Sequence, residues 1–263
     1  DKLDEYNDDN TYIIYTSDHG YQIGQYAIPC GKMQPYDVTT RIPLYIKGPG
    51  ISPNIQSDNI VGNIDFLPTM LDLANIEYDI NDYDGRSMKD ILFGESDPAW
   101  RDTYLMEFKS VGTFGITHCP TWYPDDSASN PFVPGEVKKP ASSSTGNLID
   151  NEQTNNWRVL RIIDGDDNLY YAEFYSSSEI GFTTTPIDYE FFNLGDDPWQ
   201  MNNLWDTLTI EEIEYFNQKV MEFKTCSGDE CRELFHTNDI GNQEDDMNKQ
   251  VKDNSHSLYD MSR

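Results

Sequence analysis

Residues 11–49, TYIIYTSDHGYQIGQYAIPCGKMQPYDVTTRIPLYIKGP, constrain this chain more than any other stretch. The run at 12–15 is aromatic and β-branched and predicts a buried strand. It breaks at Ser17-Asp18-His19-Gly20, which places a carboxylate and an imidazole just past the strand's C-terminal end. In open α/β sheets ligands bind at that edge. Further on come Gly31-Lys32, Tyr36-Asp37 and Arg41, and a second apolar run at 44–46 closes on Gly48-Pro49-Gly50. Asp18 is a hard oxygen ligand suited to calcium or magnesium. A histidine beside it also admits manganese or zinc. Lys32 offers a compact, fully charged ammonium, a counter-ion for an anion rather than a bidentate reader. Taken singly, an Asp-His pair at a strand end also serves as a turn, and a lone lysine is ordinarily a surface residue.

Charge narrows the partners. The chain has 263 residues, 18 of them Lys or Arg and 47 Asp or Glu, for a net charge of −29. A chain this acidic is not expected to bind nucleic acid or anionic lipid through its field. An anionic substrate has to be held by local cations or a metal. Nowhere does an apolar run approach the ~20 residues of a membrane span. Cys226 and Cys231 flank Ser-Gly-Asp-Glu, a spacing that fits a small disulfide and an oxidising compartment, with free thiols as the alternative. Cys30 and Cys119 have no evident partner in the sequence.

The pieces Thr16-Ser17-Asp18-His19-Gly20-Tyr21, Gly24-Gln25, Gly31-Lys32-Met33-Gln34-Pro35-Tyr36-Asp37 and Arg41-Ile42-Pro43-Leu44 before Gly48-Pro49-Gly50 occur in one order. That ordered set resembles the sulfatase family of the alkaline-phosphatase-like superfamily. Its flavour is that of N-acetylglucosamine-6-sulfatases and extracellular heparan sulfatases. The resemblance covers residues 11–95, with a looser echo from Trp157 to Cys231. It implies a sulfuric ester hydrolase acting on sulfated sugars, in which Asp18 and His19 hold a divalent metal, most readily Ca2+, and Lys32 and His19 face the sulfate. It also implies a secreted, lysosomal or periplasmic protein. The family's formylglycine nucleophile arises in a Cys/Ser-x-Pro-x-Arg motif, and none of Cys30, Cys119, Cys226 or Cys231 begins one. The expectation is therefore a C-terminal portion, partnered by the N-terminal half of the same enzyme and inactive alone. Two alternatives stay open: a metal-dependent phosphoester hydrolase of the same superfamily, and an inactive, non-catalytic remnant.

The remaining chain divides by pattern. Residues 57–61 predict a short strand. Residues 65–74 predict a helix with Asp65 as N-cap, Pro68 in the first turn and positions 67, 70, 71 and 74 on one face. A short helix at 88–93 and a strand at 100–108, closing the first layer, follow. Asp37 and Arg41 are spaced for a local ion pair that holds the lysine loop, and Gln34 is a candidate pocket residue. Residues 109–156 are rich in Pro and Ser and read as a long surface loop. Within it, His118, Trp122 and Tyr123 could reach a substrate but more simply are loop residues. Strand patterns at 157–163, 169–174 and 189–193 precede a helix capped by Thr209 and Glu212. Its stripe is Ile213, Phe216, Val220 and Phe223. Asp196, Asp197 and Asp206 fit turns and caps better than a calcium loop. The tail at 236–263 is polar and reads as disordered. The predicted fold class is α/β: the C-terminal part of an alkaline-phosphatase-like sulfatase sheet at 1–108, the loop at 109–156, and at 157–235 a small antiparallel sheet with a packed helix.

Overall fold

A computed structural model describes residues 10–27, 31–95, 97, 100–109, 156–175 and 185–234. The segment 110–155 expected to be a loop, with His118, Cys119, Trp122 and Tyr123, the tail at 236–263 and Cys30 lie outside the described residues.

Strand β1 (Ile13–Tyr15) pairs antiparallel with β2 (Tyr45–Lys47), setting Ile14 against Ile46 and Tyr15 against Tyr45. The sequence predicts a buried strand here. Instead Ile13 and Ile14 are half-buried and Tyr15 is exposed. Among the described residues this ribbon has only two strands, and a hairpin-sized ribbon cannot cover its own faces.

Helix α1 (Asp37–Thr40) lies between the two strands in sequence. A 3₁₀ turn (Asn63–Asp65) leads into α2 (Phe66–Leu73), and α3 (Lys89–Leu92) follows. Asp65 was expected to cap α2, but its side chain makes no cap bond to that helix. It is wholly buried and forks onto Arg101 through bonds of 2.6 and 2.7 Å. It also accepts the amides of Gly62 and Arg86, both at 2.8 Å. Arg101 comes from 36 residues further along, so no local pattern announces the pair. On α2 the buried positions are Pro68 and Thr69, while the apolar Leu67 and Met70 face outward. Residues 57–61 form no strand; Ser57 and Asn59 bond each other locally, which competes with a ladder.

The second sheet is antiparallel with the order β3 (Thr103–Phe108), β4 (Asn156–Asp164), β5 (Asp167–Tyr175), β6 (Asp188–Asn193). The strand expected to close the first layer thus joins this one, with Leu105 opposite Leu160 and Met106 opposite Val159. Its alternation supplies both faces: Leu105 packs into one apolar layer, Met106 and Phe108 into the other. On the outer face Leu160, Tyr171 and Phe191 meet Phe216, Val220 and Phe223 of α4 (Ile210–Thr225). The stripe read from the sequence supplies those three helix residues. The predicted capping box is present, with the Thr209 amide donating to Glu212 at 2.6 Å and the Glu212 amide to Thr209 at 3.2 Å. Cys226 and Cys231, the latter on α5 (Asp229–Leu234), form the expected disulfide with Cα atoms 5.0 Å apart. On the inner face lie Trp157, Val159, Tyr170, Ala172 and Phe192. Fully burying each large apolar side chain contributes about 1.5–3 kcal/mol before the entropy of ordering it. No helix among the described residues is long and apolar enough to cross a membrane.

Candidate active site

The site starts where β1 runs out. Ser17 Oγ donates to the His19 carbonyl at 2.8 Å, and the His19 amide donates to Asp18 Oδ1 at 3.0 Å. These bonds turn the backbone sharply. The Gly20 amide then reaches the Thr39 carbonyl of α1 at 2.7 Å. A Cβ at position 20 would sit 2.1 Å from the Val38 carbonyl oxygen, so only glycine allows this approach. Asn63 Nδ2 donates to the Asp18 carbonyl at 3.0 Å and ties the turn to the 3₁₀ element.

Lys32 is returned to this turn by a backbone bridge. The amides and carbonyls of Gln22 and Gly31 exchange bonds of 2.7 and 3.1 Å, closing the base of the loop between them. Lys32 Nζ then stands 2.6 Å from His19 Nε2, and the same Nε2 lies 3.0 Å from Asp18 Oδ2. His19 Nδ1 is 2.6 Å from the Gly20 carbonyl. A carbonyl only accepts, so Nδ1 carries the hydrogen and Nε2 presents its lone pair toward the lysine. The three residues singled out in the sequence therefore converge on one point. Asp18 is open to solvent. Desolvation pushes its carboxyl up, but the charge of the His19 ring in its protonated form and hydrogen bonds from the His19 amide and Ser17 outweigh it and hold it below the ordinary value.

Asp18 offers an exposed carboxylate to a cation, and His19 Nε2 would join it only in place of the Lys32 hydrogen bond, since the ring has one lone pair. Among the described residues no group of three or more His, Cys, Asp or Glu could hold a metal. Two side chains are fewer than the six to eight oxygens that calcium takes. Asp196 and Asp197 serve turns, as expected. Asp196 accepts from Asn193, and Asp197 accepts the amides of Met201 and Asn202.

The lysine loop is held from a distance. Trp157 Nε1 donates to the Met33 carbonyl at 2.8 Å, across 124 residues of sequence. The Tyr36 hydroxyl donates to Glu190 at 2.9 Å, and the Asp37 amide to Gln200 at 2.8 Å. The Tyr26 and Tyr36 rings pack 5.2 Å apart. The expected Asp37–Arg41 pair is present but stretched to 4.0 Å, with Arg41 largely in solvent; Arg161 Nε approaches Asp37 at 3.9 Å from β4. Trp157, Glu190 and Gln200 carry no local sequence signal as supports, because only the folded sheet brings them to the loop; Asn63 likewise reaches the Asp18 turn only through the fold, from the 3₁₀ element.

The sulfatase family model matches residues 1–76. Human N-acetylglucosamine-6-sulfatase is 33% identical over 225 residues, which is 85% of this chain and 37% of the relative. This chain belongs to the sulfatase family. An extracellular sulfatase homolog of Drosophila melanogaster is 40% identical over 102 residues, 38% of this chain and 9% of that protein. Solved structures share the fold. A 2-O GAG sulfatase superposes with TM-score 0.54 at 18% identity, covering 85% of this chain and 40% of that one. A phosphonate monoester hydrolase from Silicibacter pomeroyi gives 0.52 at 22% identity, covering 85% and 38%. The alkaline-phosphatase-like sulfatase fold expected from the sequence is thus the fold of this chain. The chain spans a little over a third of the N-acetylglucosamine-6-sulfatases it matches.

Proposed function

We propose that the protein containing this chain hydrolyses sulfate esters on sulfated sugars, as an N-acetylglucosamine-6-sulfatase-like enzyme. The observation that carries the proposal is the convergence of Lys32 Nζ, His19 Nε2 and Asp18 Oδ2 at a strand end of sulfatase-family sequence. Sulfate-ester cleavage accumulates negative charge on the sulfuryl oxygens and on the departing alkoxide, and fixed cations stabilise it. Lys32 supplies one such cation, and the loop brings its ammonium to His19. Asp18 and His19 are the ligands in this chain for a divalent metal, most readily calcium. When bound, that ion supplies Lewis-acid stabilisation of the same charge. His19, held by the Gly20 carbonyl, keeps its Nε2 lone pair facing the reacting region.

The formylglycine nucleophile belongs, in this proposal, to sequence outside these residues, in the N-terminal half of the same enzyme, so the chain alone is inactive. The Cys226–Cys231 disulfide supports a secreted, lysosomal or periplasmic setting.

The test uses the full-length enzyme with matched sulfate and phosphate esters. Asp18→Ala should lose both metal and turnover. Lys32→Ala should keep the metal and lose about 10²–10³ in kcat. His19→Asn should be tolerated at a one-metal site, since Asn offers an oxygen to the same cation. If His19→Asn instead strips one of two metals, and phosphate esters are the better substrates of the unmutated enzyme, the phosphoesterase alternative replaces this proposal.

A further inference from the structure

Glu190 is half-buried, and its carboxyl has no part in the chemistry above. It lies on β6 opposite Ala172, on the inner face that also carries Tyr170 and Phe192. Its Oε1 accepts the Tyr36 hydroxyl, while its Oε2 is buried without a hydrogen-bond partner. The Tyr170 hydroxyl and Gln200 Nε2 are buried without partners as well. The charged and titratable groups around this cluster are Tyr36 and Asp188 beside Glu190, Tyr26 against Tyr36, and Asp37 and Arg161 facing Tyr170. Among the described residues no cationic side chain pairs with Glu190.

A buried carboxylate without a cation is costly, and taking up a proton removes that cost. The proton also turns the orphaned oxygen into a donor in a cluster that holds an unpaired hydroxyl. We propose that Glu190 is a positioning residue at the seam between the Lys32 loop and the C-terminal sheet, and that its protonation, by removing the cost of a buried, half-satisfied carboxylate, favours the docked loop. The proposal deepens the sulfatase proposal by naming what holds Lys32, and its readout does not depend on turnover.

Burial, reinforced by Asp188 and opposed by the Tyr36 hydrogen bond, raises the Glu190 carboxyl from its ordinary 4.5 to about 7. With the docked value above the undocked one, docking is firmest below about pH 4.5. It weakens as pH rises through the interval and levels off above about 7.

Hydrogen exchange of the full-length protein tests this. The amides to read are those of Asp37, Thr39, Thr40 and Arg41, which are all bonded when the loop is docked. Rates are corrected for intrinsic exchange and referenced to β4. Protection should fall by up to about tenfold per pH unit between the two values, on the order of a hundredfold in all. Glu190→Gln, neutral at every pH and able both to accept and to donate, should keep its acid-limit protection throughout. Tyr36→Phe should push the plateau to higher pH, because the lost bond favoured the charged carboxylate. Parallel profiles for Glu190→Gln and the parent overturn the proposal. If Glu190→Gln does not fold, a flat profile in the parent protein overturns it equally.

Discussion

Tyr15 and Tyr45 face each other across β1 and β2, ring centroids 6.1 Å apart, yet 65% and 68% of their surface remains exposed. Tyr170 and Tyr171, neighbours on β5, are 0% exposed. The residue type is the same; the difference lies in how many layers cover the strand. The C-terminal sheet has α4 on one face and the lysine-loop segment on the other. The β1–β2 ribbon has neither among the described residues. Leu67 and Met70 on α2 tell the same story, with 47% and 46% exposed. The region that carries Asp18, His19 and Lys32 is thus the less self-sufficient one. Its order is borrowed from the sheet through Trp157, Glu190 and Gln200, and from one buried ion pair, Asp65–Arg101.

Substitutions in the full-length protein can break or sharpen that contrast. The largest effect should come from Asp65→Ala. It leaves the Arg101 guanidinium buried without its carboxylate and should cost about 3–5 kcal/mol in a denaturant titration. A cost under about 1 kcal/mol would mean the N-terminal segment is anchored elsewhere. Next, Leu160→Ala, at a wholly buried sheet position, should cost about 2–5 kcal/mol. Tyr45→Ser on the exposed ribbon should stay within about 0.5 kcal/mol. Equal losses at the two sites would show that a layer outside these residues covers the ribbon, and would erase the contrast. Between these two effects, Cys226→Ser opens a short loop beside α4 and should cost about 2 kcal/mol. Reductant should reproduce that loss in the parent and add nothing to the variant.

The site is legible in the sequence through local signals. A strand that ends in Ser-Asp-His-Gly and a Gly-Lys placed to return to it are readable because turn chemistry is local. The same holds for the α4 stripe and its Thr209–Glu212 box, where spacing alone sets the geometry. Asp65 shows where local reasoning stops. Its position before an apolar helix matches an N-cap, but a buried arginine from β3's entrance claims both oxygens. Thr103–Phe108 shows the same limit for strands. Its alternation suits either sheet, and only pairing with β4, which begins far along the sequence at Asn156, decides which. The supports of Lys32 were illegible for the same reason: Met33 and Trp157 meet only after the sheet's inner face has formed.

That dependence of the site on the sheet is open to one measurement, the 15N shift of His19 Nε2 in metal-free, full-length protein labelled at histidine. In the parent, the shift should report an unprotonated Nε2 accepting a hydrogen bond from Lys32. Lys32→Ala sets the size of the change when that bond is lost. Trp157→Phe keeps the ring but removes the N–H that holds the Met33 carbonyl, and it should move His19 in the same direction. A clear change in Lys32→Ala with no movement at all in Trp157→Phe would contradict the conclusion that the C-terminal sheet places the lysine.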